Sequence, residues 1–396
     1  MAQIKLPDLA SPRFKADPHP LYARLRAEAP VYRARAFFLP AWIVTRYDDV
    51  LVVLKDQRFS KDFTSRMPWI PQSIHALTRN LLSLDPPDHT RLRALVNKAF
   101  TPSVADRLHA RIQSVCDELL DAAAAEGSID LVGGFGLPVP LTIIGDLLGV
   151  PRQDRRPFAA WTKLIAAGGS GGVVDLLRGL TGMWLCGRYL RKLAERRRAE
   201  PEDDLVTALI RAEEAGDKLS EDELISMIGL LLLAGYETTV NLIAGGALAL
   251  IEHSQQLEML RDNSNLAESA IEELLRYTSP ADFASPRIAR EDVALAASRI
   301  PRGSLVLASI GSANRDESQF RDPNTLDIAR EPNRHLAFGI GAHFCVGAAL
   351  ARLEGRIALT TLFRRFPRLR LAVPRESLRW RRSMLFRGLR QLPVVW

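Results

Sequence analysis

The sequence predicts a single, mainly α-helical domain with small β-sheets, spanning residues 1–396. Three observations lead to this fold class. Residues 103–213 contain one helical pattern after another, residues 220–251 continue that periodicity as one long segment, and residues 293–310 alternate like paired strands. No stretch rich in proline, glycine and serine divides the sequence, and it contains no internal repeat. With 396 residues and 47% hydrophobic composition, the chain can bury a large core.

The charge of the chain gives little indication of a macromolecular partner. A formal net charge of +7 is compatible with an acidic partner. However, no basic run is interleaved with aromatic residues, as binding to single-stranded nucleic acid favours. The run from Arg196 to Arg198 is followed at once by acidic residues, which is typical of a solvated helix end. We therefore expect no nucleic-acid function.

Cysteine usage and the N-terminus indicate the compartment. The three cysteines are an odd number in a long chain, which argues against a disulfide framework and for a reducing compartment. The first twenty residues lack the apolar core of a signal peptide. No uninterrupted apolar run approaches the roughly 18 residues that span a bilayer. We expect a soluble, cytoplasmic protein without a membrane span.

Short elements are expected in the N-terminal part of the chain. Leu21 to Glu28 and Asp48 to Lys55 have helical patterns, and Trp42 to Thr45 is typical of a strand. From Ser60 to Leu84 the periodicity disappears. A long irregular segment in a compact protein is usually functional or mobile, although a plain surface loop is an alternative.

A helix is expected after the two prolines at residues 86 and 87. The stretch Asp-Pro-Pro-Asp-His-Thr-Arg-Leu-Arg, residues 85–93, has prolines before the helix and an acidic residue in its first turn. His89 and Arg93 are four residues apart and therefore share a face. From the residues alone, a histidine and an arginine paired at the surface is the simplest interpretation.

A glycine-rich interruption separates two of the predicted central helices. Gly168 to Gly172 contains four glycines and one serine between helices predicted from Arg152 to Ala167 and from Val173 to Arg197. Such a composition predicts a flexible connection.

The longest predicted helix carries an unusual segment. Ser220 and Glu223 form a capping-box pattern, and helical periodicity then continues to about Ile251. The segment Ala-Gly-Tyr-Glu-Thr-Thr, residues 234–239, places a glycine, an acid and two β-branched residues at the helix centre, where they are poor choices. Thr238 could bond the carbonyl of residue 234 and bend the helix. Such departures from local rules tend to mark functional sites, although a kinked core helix is an alternative.

Beyond this helix, Glu273 and Arg276 are three residues apart and can form an ion pair, which is a common helical feature. Residues 293–310, with a turn at Pro301 to Gly303, read as paired strands.

One cysteine lies in a glycine-rich loop near the C-terminus. Residues 338–347 read Phe-Gly-Ile-Gly-Ala-His-Phe-Cys-Val-Gly and precede a helical pattern from Ala348 to Phe363. A thiol just before a helix lies near free N–H groups and the positive end of the helix dipole, which favour the thiolate, the form that binds metals. Two alternatives are a buried free cysteine and a nucleotide-binding loop, but the third glycine of the nucleotide motif is replaced by Phe344.

Together these motifs resemble those of the cytochrome P450 family, over about residues 20–396. Every fixed position of F-x-x-G-x-H-x-C-x-G and of A-G-x-[D/E]-T-T is present, in the expected order. The resemblance implies haem b, with the thiolate of Cys345 as the axial iron ligand. It also implies that Thr238 hydrogen-bonds the activated oxygen and that Glu237 helps to deliver protons.

The resemblance implies further roles around the cofactor. Glu273 and Arg276 match the family's structural E-x-x-R signature, with Arg330 as the candidate third partner. Glu317 stands where the family often has proline, and we attach no functional consequence to it. The residues expected to hold the haem propionates are His89, Arg93, Arg287 and His343. The residues expected to line the substrate pocket are Phe283, Ala284, Leu385 and Phe386. In the family, the region that matches residues 60–84 covers that pocket. The helices that match residues 152–167 and 173–197 slide over the pocket in the family and so admit substrate.

The implied activity is insertion of one oxygen atom of O₂ into a C–H or C=C bond of an apolar small molecule. No flavin or nicotinamide domain is visible, so the electrons are expected from a separate acidic ferredoxin and its reductase. Arg352 and Arg356 are candidates for the docking face, or else solvated surface charges. Two other classes are a peroxide-driven haem-thiolate peroxygenase and a non-catalytic protein of the same fold.

Overall fold

The computed structural model describes residues 4–36, 39–62, 79–99, 102–168, 173–214 and 219–396. The α-helices, in chain order, are α1 Pro12–Ala16, α2 His19–Glu28, α3 Tyr47–Lys55, α4 Asp88–Ala99, α5 Pro102–Ala124, α6 Pro138–Leu147, α7 Arg152–Gly168, α8 Val173–Ala199, α9 Leu205–Glu214, α10 Glu221–Glu252, α11 Ser254–Asp262, α12 Ala267–Thr278, α13 Ile310–Ala313 and α14 Ala348–Arg365. The strands are β1 Val31–Ala36, β2 Leu39–Val44, β3 Phe59–Ser60, β4 Ser128–Asp130, β5 Arg287–Ala289, β6 Val293–Leu295, β7 Ser298–Ile300, β8 Leu305–Ala308, β9 Arg370–Leu371 and β10 Pro393–Val395. The predicted fold class, mainly α with small sheets, is confirmed.

The chain packs as two compact units. The first unit comprises residues 1–59, 112–139 and 238–396, and the second comprises residues 60–111 and 140–237. Helix α10 is continuous through the boundary between Glu237 and Thr238. The expectation that residues 1–396 form one domain stays a prediction.

A five-stranded sheet in the first unit has the strand order β1-β2-β8-β5-β3. Strands β1 and β2 are antiparallel, β2 and β8 are parallel, and β8 and β5 are antiparallel. Apolar side chains of the sheet and of helix α3 form one buried cluster, which includes Val50, Val53, Phe59 and Val306. This cluster fixes β5, the strand that begins with Arg287.

The sequence did not predict strand β4, which lies in a region with otherwise helical patterns. Strand β4 pairs with β10, which pairs with β9 at the far C-terminus. The Asp130 carboxylate accepts hydrogen bonds from the backbone N–H groups of Val132, Gly133 and Leu392. Asp130 and Leu392 are 262 positions apart in the sequence, so local periodicity cannot predict this pairing. Residues 293–310 contain the predicted strands, as β6, β7 and β8. Their pairing differs from the prediction: β6 and β7 pair with each other, whereas β8, after the turn at Pro301 to Gly303, pairs with β2 and β5.

In the second unit, α7 and α8 pack against each other, with bounds close to those predicted. Most of the predicted glycine-rich connection, residues 169–172, lies outside the described residues, as do residues 63–78 of the predicted irregular segment. The Asp85 carboxylate accepts a hydrogen bond from the Lys61 backbone N–H at 3.0 Å and one from the Ser60 hydroxyl. These bonds tie the beginning of that segment to Asp85, three residues before α4 begins.

Helix α10 begins with the predicted capping box. The Ser220 N–H donates to the Glu223 carboxylate at 2.9 Å, and the Glu223 N–H donates to the Ser220 hydroxyl at 3.3 Å. The helix then continues without interruption to Glu252. By length and composition it could cross a membrane, which the search for unbroken apolar runs did not predict, but 67% of its apolar window is buried within the structure. Such burial is typical of a core helix.

Candidate active site

The loop before α14 is closed by backbone contacts. Gly339 and Gly341 have φ angles of 68° and 78°, in the left-handed region where a side chain would be strained. The Cys345 N–H donates to the carbonyl of Phe338 at 3.0 Å. Cys345 lies three residues before Ala348, which is the first residue of the 18-residue helix α14. The sulfur is therefore close to the positive end of that helix, as the sequence predicts.

The three cysteines differ in their ability to bind a metal. Burial raises the pKa of both Cys116 and Cys186 to about 12, so these two remain thiols. Cys345 is exposed. Within the described ranges, no group of three or more His, Cys, Asp and Glu side chains could hold a metal ion together. A single accessible thiolate suits an iron whose other ligands come from a porphyrin, so these residues fit a haem.

An ion-pair network on α12 and α14 supports the cysteine loop. The Arg352 guanidinium donates to both Glu272 carboxylate oxygens, at 2.6 and 2.8 Å, and lies 4.5 Å from the centre of the Phe338 ring. His335 Nε2 is 3.1 Å from the same carboxylate. Burial alone would raise the pKa of Glu272, but the hydrogen bonds from Arg352 and His335 lower it to about 2. The hydrogen bonds that Arg352 donates to Glu272, followed by the charge of Glu272 and then that of Cys345, raise the pKa of Arg352 against the effect of burial.

Both candidate docking arginines are ion-paired. Arg352 is held by Glu272, and Arg356 pairs with Glu268, whose side chain is 81% exposed. The two arginine side chains are about equally exposed, at 38% for Arg352 and 34% for Arg356, but the carboxylate paired with Arg356 is the more exposed one. Arg352 is primarily a support of the cysteine loop.

The predicted E-x-x-R cluster is confirmed, including its third member. Arg276 donates two hydrogen bonds to Glu273, each 2.7 Å long, and both side chains are fully buried. Arg330 donates to the same carboxylate at 3.1 and 3.2 Å. Arg276 also donates to the backbone carbonyl of Asn314 at 2.9 Å, so the cluster connects α12 to the chain that leads to the cysteine loop.

Glu237 and Thr238 are adjacent on α10. An added Cβ at Gly235 would lie 3.0 Å from a side-chain carbon of Ile144 on α6, so a glycine allows the two helices to approach closely. Residues 234–239 are α-helical throughout, without a break at the threonines. The predicted roles of Glu237 and Thr238 stay predictions.

The four candidate propionate residues belong to different units. Arg287 is buried at the start of β5, with one guanidinium nitrogen 3.4 Å from the Phe59 carbonyl, and His343 ends a short 3₁₀ turn in the cysteine loop. His89 and Arg93 lie in the second unit on α4. Burial, followed by the charge of Arg93, lowers the pKa of His89, which agrees with their predicted shared face. Their joint role as a propionate site stays a prediction.

The candidate pocket residues come from two neighbouring segments of the first unit. The Phe283 N–H donates to the Leu385 carbonyl at 3.1 Å, and Ala281 forms an antiparallel bridge with Phe386. The structure thus places these segments side by side, although they are 102 residues apart. The Phe283 ring packs edge to face with Tyr22 at 6.2 Å, and Ala284 packs against the sheet cluster. Their contact with a substrate stays a prediction.

Comparison with known proteins decides the family. The family model for cytochrome P450 matches residues 7–165 and 187–379. The chain belongs to the cytochrome P450 family. It is 42% identical over 394 residues to the polyketide biosynthesis cytochrome P450 PksS of Bacillus subtilis (strain 168), covering 96% of each chain. It is 43% identical over 390 residues to the cytochrome P450 monooxygenase PikC of Streptomyces venezuelae, covering 97% of this chain and 92% of PikC.

The fold of solved P450 structures agrees with that of this chain. The myxobacterial cytochrome P450 CYP267B1, solved in complex with myristic acid, superposes with a TM-score of 0.93 at 41% identity, covering 99% of each chain. Members of the cytochrome P450 family bind haem b through a cysteine thiolate. This P450 is therefore a haem-dependent monooxygenase, and Cys345 is the cysteine that its structure offers for that role.

A buried carboxyl group that the sequence did not predict lies near the oxygen-activation motif. Glu354 on α14 is 1% exposed, and neither of its oxygens has a hydrogen bond of ordinary geometry among the described residues. Burial raises its pKa to about 8, and the neighbouring Thr239 hydroxyl lowers it only in part. One signal was available: Glu354 occupies the same helix stripe as the buried Ile357, Ala358 and Thr361, where an apolar residue is expected.

We predict that Glu354→Gln removes a pH dependence from the stability of this P450. The folded protein keeps the Glu354 proton up to about pH 8, whereas the unfolded chain loses it near the ordinary glutamate pKa of 4.5. The stability that this protonated carboxyl contributes is therefore fully present below pH 4.5 and is lost as the pH rises towards 8. Between pH 6 and pH 8 the free energy of unfolding should fall by about 2 kcal/mol. Thermal midpoints of both holoproteins at pH 6 and pH 8 test this, and the variant is expected to be the more stable protein at pH 8. An equal pH dependence in the two proteins would contradict it.

Proposed function

We propose that this P450 inserts one oxygen atom of O₂ into a C–H or C=C bond of an apolar small molecule, with electrons supplied by a separate ferredoxin and its reductase. The observation that carries the proposal is the exposed Cys345 at the start of α14, in a chain that also keeps Glu237 and Thr238. A bound haem supplies the oxygen chemistry, and the protein supplies geometry, protons and exclusion of water.

The residues of the chain have separable tasks in this proposal. The Cys345 thiolate holds the iron, while Arg93 and Arg287 each present a guanidinium to a propionate carboxylate. His89, which its lowered pKa keeps neutral, can donate one hydrogen bond to a propionate carboxylate. With a haem bound, the Thr238 hydroxyl would hydrogen-bond the oxygen substrate, and the Glu237 carboxyl would transfer protons towards it.

The substrate is proposed to be apolar because the candidate pocket residues are Phe283, Ala284, Leu385 and Phe386. The relative PksS is named for polyketide biosynthesis, and CYP267B1 was solved with a fatty acid, so both scaffold classes belong in a first panel. We expect that titrating the ferric holoprotein with fatty acids, terpenes, steroids and macrolides gives a saturable shift of the main haem absorption band for at least one class. Protein that carries no haem band, even after haem supplementation, would contradict the proposal.

A peroxygenase is distinguished by its oxidant. We expect product formation from O₂ in the presence of a ferredoxin, a reductase and a nicotinamide donor. Efficient turnover with hydrogen peroxide alone, and none with the electron-transfer proteins, would favour a peroxygenase. A holoprotein that binds ligands but turns over with neither oxidant would favour a non-catalytic binding protein.

The electron donor is proposed to dock near Arg356. We expect Arg356→Glu to slow reduction by an acidic ferredoxin about threefold or more at low ionic strength, because it reverses a charge on the docking face. Stopped-flow reduction at low and high salt measures this effect, which should shrink as salt screens the charges. Arg299→Glu is the control, since Arg299 is 78% exposed and pairs with Asp292 on the β6–β7 hairpin. Equal reduction rates in the two variants would contradict the assignment.

Location in the cytoplasm completes the proposal. The apolar helix α10 is mostly buried and carries Glu237 and Thr238, which supports its role as a core helix. The electron donors of such an enzyme are expected in the same compartment. Fractionation of the native host is the test, and recovery with the membrane fraction would contradict it.

A further inference from the structure

A second cavity in the first unit is lined by cationic and polar groups. Its volume is about 420 Å³, within the range of small-molecule sites. It lies among α2, the C-terminal half of α10, the end of α12 and the turn at Arg387 to Leu389. Cys345 and the candidate pocket residues are not among its lining residues. The cavity is therefore separate from the proposed haem site.

Two arginines line this cavity without a carboxylate partner. Arg315 is 4% exposed and donates to the Asn324 side chain at 3.1 Å and to the Tyr277 carbonyl at 2.9 Å. Arg387 donates only to the backbone carbonyls of Lys15, Ala16 and Thr278, at 2.9 to 3.3 Å. In the part of the chain that the structure describes, no carboxylate forms an ion pair with either guanidinium. The charges of Asp282 and Asp17 act on Arg387 from farther away, without forming an ion pair with it. Both guanidiniums therefore make their hydrogen bonds above to neutral acceptors, and such charges favour an anion.

Donor groups remain available on both guanidiniums. An arginine has five N–H donors, of which Arg315 uses two and Arg387 uses three in the bonds above. The Arg315 Nε is buried and has no partner among the described residues. Burial lowers the pKa of Arg315 to about 10, which still leaves it charged at neutral pH.

An unpartnered histidine points to the same ligand chemistry. His19 lines the cavity at the start of α2, and both of its ring nitrogens are buried without a hydrogen-bond partner in the described chain. Burial, followed by the charges of Arg315 and Arg387, lowers its pKa well below the ordinary value. The neutral ring offers one N–H donor. A buried polar ring with neither nitrogen satisfied is costly, and a bound acceptor would remove part of that cost.

The acidic residues that face the cavity do not cancel this charge. Glu252 is paired with Arg375, whose side chain is 58% exposed. Asp17 is exposed and forms no ion pair within 4.0 Å in the described chain. The interior therefore keeps the two arginines and His19 as its strongest polar groups, with Asn241 beside them.

We propose that this cavity binds a small anion through a phosphate or carboxylate group, held by Arg315, Arg387 and His19. Guanidinium groups are suited to both kinds of oxyanion, because their fixed fork of donors matches two acceptor oxygens. The two sources of this chemistry, phosphate and carboxylate, are distinguished by testing each separately.

Calorimetric titration of the ferric holoprotein tests the proposal, with inorganic phosphate and succinate as probes at constant ionic strength. We expect saturable binding of at least one probe, about tenfold or more weaker in Arg315→Gln, which removes a charged donor. Ala23 is half-buried on α2 and lines the cavity, so Ala23→Phe should abolish binding by filling it. This second variant tests the proposal if Arg315→Gln does not fold. Arg379→Gln is the control, since Arg379 is exposed and does not line the cavity.

Three results would overturn the assignment. The first is that neither probe binds saturably to the wild-type protein. The second is that binding is equally strong in Ala23→Phe and in the wild type. The third is a haem absorption shift that saturates with the anion and persists in Ala23→Phe, since it would place the anion at the iron.

Discussion

Replacing Glu273 with alanine is expected to remove most of the haem-loaded protein from a standard preparation. Glu273 is the only carboxylate that pairs with Arg276 and Arg330 among the described residues. Its loss leaves the guanidinium of Arg276, which is fully buried, without a counter-charge. Breaking a buried ion pair by removing one partner typically costs about 3–5 kcal/mol, a large share of the roughly 5–15 kcal/mol that stabilises a folded protein.

The destabilisation should extend to the cofactor site, because Arg276 is hydrogen-bonded to the chain that leads to the cysteine loop. Its guanidinium also donates to the carbonyls of Asn314 and Pro323, at 2.9 and 2.7 Å. The Asn314 side chain in turn accepts the Leu336 N–H at 2.7 Å, two residues before the cysteine loop begins. An unpaired Arg276 is therefore expected to loosen the loop that carries Cys345.

The measurement is the haem-to-protein ratio and the thermal midpoint of the purified protein. Glu268→Ala is the matched control on the same helix, because Glu268 also pairs with an arginine but is 81% exposed. Exposed pairs are worth about 0–1 kcal/mol, so the control should behave like the wild type. Similar midpoints for the two variants would show that the buried cluster is not the support that its geometry implies.

Local patterns predicted the helices and motifs well. The capping box at Ser220 and Glu223 and the pairing of Glu273 with Arg276 depend on residues three apart, and both are confirmed. The bounds of α7 and α8 also agree closely with the prediction. In each case the interaction that forms the feature is contained within one or two helical turns, so a sequence window includes all of it.

Features built from distant segments could not be predicted from local patterns. Strand β4 depends on a partner near residue 394, and the anion cavity draws its groups from at least four segments of the chain. The ion pairs of Arg352 and Arg356 do not follow from local patterns, because their carboxylates lie on another helix, 80 and 88 positions earlier. Glu354 was overlooked because its burial follows from packing between helices and not from its own composition.

Replacing Thr238 with alanine is expected to uncouple oxygen consumption from product formation. In the proposed mechanism the hydroxyl holds the activated oxygen while Glu237 supplies protons. A positioned proton-transfer group typically contributes about 10²–10⁴-fold to a rate, so we expect product per O₂ consumed to fall about tenfold or more. The missing oxygen should be recovered mainly as hydrogen peroxide. Substrate affinity should change little, because an alanine fits the uninterrupted helix at residues 234–239.

The control is Thr238→Ser, which keeps the hydroxyl and loses only a methyl group. If the hydroxyl carries the effect, this variant should retain most of the coupling, whereas a loss caused by altered packing of α10 should appear in both variants. Thr239 gives a second comparison: it is 2% exposed and lies beside Glu354, so Thr239→Ala tests whether any threonine in the motif suffices. Full coupling in Thr238→Ala would remove this hydroxyl from the mechanism. Loss of coupling in Thr239→Ala alone would instead assign the role to the Thr239 hydroxyl.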